Sequence, residues 1–268
     1  MKLRDKIVMI AEAGSASGMA LIDRFAPEGA RFILNSEAGT DALVPALEKL
    51  HAAGCPAIAA GADLCSPRET AALLDRAERE LGTVDVLIHN RRAVRPAMVE
   101  TCDEERFLSV LNANAKSAFV VTQAVGRQMA AKRSGKIVYI GSIHAEKPTG
   151  ASFVYSVSQG AIKMLCREAA LVLGRHSINV NLIELGPLEG DDVRFRSGIS
   201  ALYEDYRYKV PNAVLGTYAD VANLALYLSS AEADFLNGAD VRLDGGFLMH
   251  YMDHKMKRPQ HETTGGAP

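Results

Sequence analysis

Cysteine pairs, long apolar runs and blocks of like charge are all missing from this chain, and each gap excludes a class of protein. The four cysteines, Cys55, Cys65, Cys102 and Cys166, are scattered without a C-x-x-C spacing, which points to reduced thiols rather than a disulfide framework or a structural metal site. The charged start, residues 1–6, runs into a short apolar stretch, too short for a signal h-region or a membrane span, so a cytoplasmic protein without membrane contact is expected. The formal charge is −2, and lysine and arginine do not cluster before the last eighteen residues, which argues against nucleic acid as a partner. What remains is a chain of 268 residues, 48% of them hydrophobic, without repeats and long enough to bury one core.

Apolar runs of strand length at 7–11, 30–35, 57–60, 84–88, 136–140, 178–183 and 239–243 alternate with helical patterns. The first strand is followed by a small-residue turn, Glu12 to Gly18, and then by Leu21, Ile22 and Phe25 at helical spacing. This rhythm predicts an α/β fold: a Rossmann-like, doubly wound, parallel seven-stranded sheet with helices on both faces, in a single domain over residues 1–249. Two long helices are expected at 103–132 and 153–173, with apolar residues on faces the sheet cannot cover, which suggests an oligomer interface. Residues 188–210 mix charges with aromatics and read as a lid-like insertion forming a substrate wall, and 250–268 as a polar, mobile tail.

Several motifs in order resemble the short-chain dehydrogenase/reductase family: Asp85-Val86-Leu87-Ile88 followed by Asn90, Asn114 in the long helix, Gly135 to Ser142, Tyr155 thirteen residues after Ser142, Gly186-Pro187, and Asn237-Gly238-Ala239 leading to Asp244-Gly245-Gly246. The resemblance implies a catalytic tetrad in which tyrosine is the general acid/base, serine positions the reacting oxygen, asparagine supports a water relay, and a lysine four residues after the tyrosine lowers the phenol pKa and holds the nicotinamide ribose. Asn114, Ser142 and Tyr155 match, but the lysine position is Gln159. Bringing a tyrosine from ~10 to ~7 takes about 4 kcal/mol of selective stabilisation, which a neutral glutamine does not supply. Lys163, two turns past Tyr155, reads as a solvated or interface lysine.

The implied cofactor residues are Gly18, Asp63 and Asn90. The family's T-G-x-x-x-G-x-G falls on Ala11 to Gly18, where only Gly18 survives, and Glu12 would bring a carboxylate toward a pyrophosphate. On the fourth strand the family's N-N-A-G becomes His89-Asn90-Arg91-Arg92. These features predict that Arg91 or Arg92 pairs with Glu12 and blocks the phosphate slot. Asp63 also suits a turn before the next helix. His89 and His144 read as packing or hydrogen-bonding histidines, and no metal site is expected.

Three functions are compatible with this pattern. The favoured expectation is a non-catalytic subunit of a hetero-oligomeric NAD-dependent alcohol or hydroxyacyl dehydrogenase, resembling the inert subunit of α-hydroxybenzylsuccinyl-CoA dehydrogenase. It would bind no cofactor itself, with NAD(P) held by a homologous active partner docked through helices 103–132 and 153–173, in a tetramer. The alternatives are an active NAD(P)-dependent oxidoreductase with a divergent site, and a non-redox enzyme of halohydrin-dehalogenase type.

Overall fold

A computed structural model describes residues 1–191, 210–211 and 214–249. Most of the expected lid and all of the tail lie outside the described residues.

The strands are β1 (Ile7–Ile10), β2 (Arg31–Asn35), β3 (Ala57–Ala60), β4 (Val86–His89), β5 (Gly135–Ser142), β6 (Ile178–Leu185) and β7 (Asp240–Leu243). They form one seven-stranded sheet in the order β3-β2-β1-β4-β5-β6-β7, parallel throughout. The helices are α1 (Ala16–Phe25), α2 (Val44–Ala52), α3 (Pro67–Glu80), α4 (Glu104–Leu111), α5 (Ser117–Lys132), α6 (Phe153–Leu173) and α7 (Tyr218–Ser229). Alternation within the strands builds two cores. Val8 and Ile10 face one side with Leu21, Phe25 and Leu226, while Ile7 and Met9 face the other with Val121, Met129 and Ile162. Burial on both faces is why the strands read as continuous apolar runs rather than alternating ones.

The long helix expected at 103–132 is interrupted. Asn112–Lys116 forms one π-turn between α4 and α5, a distortion that recurs at functional sites because it re-aims a side chain; here that side chain is Asn114. The apolar faces expected on α5 and α6 are present, with Phe119, Val157, Met164, Leu171 and Val172 all exposed.

The turn after β1 keeps one obligatory glycine. A Cβ on Gly18 would lie 2.4 Å from the Ala13 carbonyl oxygen and 2.5 Å from that of Glu12, so the start of α1 packs against the turn as only glycine allows. On α7, Thr217 and Asp220 close a reciprocal capping box. Thr217→Ala is expected to cost about 1 kcal/mol, read as a lower urea midpoint at unchanged slope.

Candidate active site

Strand β5 delivers Ser142 to the carboxyl edge of the sheet, where it is buried. Its Oγ accepts the backbone N–H of His144 at 3.3 Å. The His144 ring, 2.6 Å through Nδ1 from the carbonyl of Lys147, stands edge-on to Tyr155 with centroids 6.1 Å apart. A carbonyl only accepts, so Nδ1 carries the proton. Burial, with the Arg92 charge adding to it, lowers the titration of His144 to about 4, and the ring is neutral at neutral pH. His144 therefore joins Ser142 to Tyr155, which lies on the first turn of α6 with no exposed surface.

Arg92 completes this group. Its Nε donates to Tyr155 Oη at 3.2 Å, and the residue is 6% exposed. Burial opposes its charge, but Tyr155 and Asp191 outweigh burial and raise its pKa above the ordinary arginine value. Asn114 fixes the loop that carries it: Oδ1 accepts from the N–H of Ala93 at 2.7 Å, while Nδ2 donates to the Ala93 carbonyl at 3.0 Å and to Ser158 Oγ at 2.9 Å. Ser158 in turn donates to the carbonyl of Tyr155 at 2.7 Å. The π-turn thus ties the Arg92 loop to the helix bearing Tyr155. Gln159, one turn beyond Tyr155, is buried, and its Oε1 has no hydrogen-bond donor among the described residues.

The expected plug is not formed. Glu12 pairs with neither arginine; its carboxylate accepts from Ser36 Oγ at 2.7 Å and from the N–H of Glu37 at 3.0 Å, at the end of β2. Both are fixed, short-range donors, a backbone N–H and a hydroxyl one carbon from the main chain, and bonding to them immobilises no long arginine side chain. Arg91 instead pairs with Glu37. Because β1 lies between β2 and β4, this pair spans the carboxyl end of β1. Asn90 holds the turn in place, accepting from the N–H of Glu12 at 2.8 Å and donating to its carbonyl at 2.8 Å and to Ser17 Oγ at 3.0 Å.

Asp63 is exposed and accepts from the N–H of Cys65 at 2.8 Å, the turn role its sequence suits. His89 is a core histidine, 2.9 Å from Ser117 Oγ, with its titration lowered to about 3 by burial first and then by Arg91. Lys163 is not solvated: its side chain is 12% exposed and ion-paired to Glu146, Glu184 and Asp240. No group of three or more potential metal ligands occurs among the described residues, and none of their helices is long and apolar enough to cross a membrane. A cavity of about 710 Å³ lies at the opposite, amino-terminal edge of the sheet. Its lysines Lys2, Lys6 and Lys136 are already paired to Glu232, Asp85 and Asp234, and it holds none of these groups.

The contact that sequence reasoning missed is Arg92 with Tyr155. A signal for it existed: a cation lost at position 159 and one gained at position 92 is the pattern of a charge moved between elements.

A family model described as enoyl-(acyl carrier protein) reductase matches residues 11–248. The chain is 31% identical over 253 residues to the 5-keto-D-gluconate 5-reductase of Escherichia coli (strain K12), covering 92% of this chain and 97% of the relative. It is 26% identical to the 2-dehydro-3-deoxy-D-gluconate 5-dehydrogenase of Formosa agariphila, covering 92% and 94%. Among solved structures, a gluconate 5-dehydrogenase from Burkholderia cenocepacia J2315, in complex with NADP and tartrate, superposes with a TM-score of 0.86 at 25% identity, covering 93% of this chain and 98% of that one. All three are named as oxidoreductases and none as an inert subunit, so the expectation of a non-catalytic, cofactor-free chain finds no support among them.

Proposed function

The chain belongs to the short-chain dehydrogenase/reductase family, and on that premise we propose that it is an active NAD(P)-dependent oxidoreductase, interconverting a secondary alcohol and a ketone on a polyhydroxylated acid of the gluconate type. The observation that carries this reading is the buried convergence of Ser142 and Tyr155 through His144: a hydroxyl to position the substrate oxygen, and a phenol to exchange its proton. The substrate class rests on the gluconate relatives.

The residues present suit a dinucleotide. Gln159 Oε1 is a buried acceptor without a donor among the described residues, and a ribose hydroxyl is such a donor. The Glu12 carboxylate is turned to Ser36 and Glu37. Arg91 has as partner a glutamate whose side chain is 69% exposed; an ion pair open to water on one side is worth little, so a diphosphate can replace Glu37 as its partner. The nicotinamide, when bound, supplies or accepts the hydride.

A second reading, an inert subunit paired through α5 and α6 with an active homologue, is favoured by one observation: Arg91 and Arg92 are buried where the family carries alanine and glycine. Titrating the purified chain with NAD(H) and NADP(H), alongside turnover of 5-ketogluconate, separates the two. Micromolar binding with turnover is expected, and Gln159→Leu should weaken binding several-fold, as one neutral hydrogen bond of about 1 kcal/mol predicts. Absence of binding, with a second chain co-purifying, would favour the inert subunit.

A further inference from the structure

We propose that Arg92 is the group that makes Tyr155 an effective acid and base, supplying from the loop after β4 the positive charge that the tyrosine's own helix lacks. The inference rests on the oxidoreductase reading for its biological use, but its physical content concerns the apo chain alone.

Three observations carry it. First, the charge is in place: Arg92 Nε donates to Tyr155 Oη at 3.2 Å with both residues buried. A guanidinium is protonated throughout the working pH range, and a charge-assisted bond of this kind strengthens when its acceptor becomes anionic. Second, helix α6 offers no substitute. Gln159 is neutral, and Lys163 is committed to Glu184 at 2.7 Å and to Glu146. Third, the arrangement is built rather than incidental. Asn114 grips both polar groups of Ala93, the residue next to Arg92, and the same side chain reaches Ser158 on the helix bearing Tyr155. A flexible surface arginine would lack such a clamp.

Among the described residues, the other titratable groups around the pair are His144, which is neutral, and Asp191 and Tyr218, both of which act on Arg92. Asp191 competes for the same cation, so its charge tempers the effect. In ketone reduction Tyr155 Oη would give its proton to the carbonyl oxygen while the carbonyl carbon takes a hydride from a reduced nicotinamide, which is thereby oxidised. The tyrosine is left as phenolate beside Arg92 until water reprotonates it. Alcohol oxidation is the reverse: the phenolate takes the hydroxyl proton back, with an oxidised nicotinamide as hydride acceptor. Arg92 keeps its own protons in both directions.

The test follows tyrosinate absorbance against pH in the nucleotide-free chain, with Tyr155→Phe in each background isolating the Tyr155 signal. Arg92→Gln should make the phenol at least tenfold less acidic, while Arg92→Lys, which keeps a charge, should leave it near wild type. The pH profile of turnover should move in step with the absorbance, and added guanidinium should restore part of the lost activity in Arg92→Gln. Identical Tyr155 titrations in wild type and Arg92→Gln would overturn the proposal. So would an Arg92→Lys variant that is folded by circular dichroism and as poor as the glutamine one. A wild-type chain that shows the titration difference yet binds no nucleotide would refute the oxidoreductase reading and leave this inference standing.

Discussion

Tyr155→Phe should lower turnover by about 10²- to 10⁴-fold, the range expected when a positioned acid/base is removed. The substitution keeps the ring that packs edge-on against His144 and deletes only the hydroxyl, so substrate and nucleotide binding should change little and the loss should appear in kcat. There is a stability cost to separate out. Arg92 loses the acceptor of its 3.2 Å bond inside a buried site, worth about 1–3 kcal/mol for a buried polar group. Thermal unfolding measured beside the kinetics distinguishes a lowered melting temperature from a lowered rate. A folded Tyr155→Phe protein that turns over like wild type would show that the buried hydroxyls at this edge are structural. Ser142→Ala provides the companion measurement. Among the described residues its Oγ accepts a single 3.3 Å bond, from the backbone of His144, so its loss should be better tolerated by the fold than by the reaction.

The sheet was legible because local and long-range signals agree in it. The first three parallel connections place apolar runs at regular spacing, and the two faces of Ile7–Ile10 are filled by helices whose own apolar stripes the sequence displays. The same holds for Asn114, Ser142, Tyr155 and Gln159, whose order along the chain is the order in which the topology delivers them to one edge. Charged partners were far less legible. Glu12 could reach a cation on β4 or two donors at the end of β2, and a one-dimensional reading cannot rank them; the structure selects Ser36 and the Glu37 N–H because they are preformed beside the turn. Lys163 failed for a related reason. Long charged side chains on helices usually point to water, and only the sheet register, which brings Glu184 of β6 beside Gly141 of β5 beneath α6, reveals the buried carboxylate that holds it. The π-turn at Asn114 was hidden because its residues, Asn112–Lys116, suit a continuous helix equally well.

That buried carboxylate defines the largest expected effect on stability. Glu184 is 1% exposed and its ion-pair partner is Lys163, at 2.7 Å. Burial holds Glu184 above the ordinary carboxylate range while Lys163 opposes that shift; Lys163 is itself raised because Glu146 and Glu184 outweigh its own burial. Removing one member of such a pair leaves an uncompensated buried charge, so Lys163→Met should cost about 3–5 kcal/mol. The pH dependence fixes the cause. Without its cation, Glu184 in the folded variant binds a proton more tightly than in the unfolded chain, so the native state carries more protons and the variant's stability falls as pH rises through the folded-state titration. The deficit relative to wild type should therefore be largest at neutral pH and shrink on acidification, and Lys163→Met combined with Glu184→Gln should recover much of it. Urea unfolding across that pH range measures both. A deficit independent of pH, or one the second substitution fails to relieve, would mean that Lys163 stabilises the fold through the packing of its methylenes between α6 and β6 rather than through its charge.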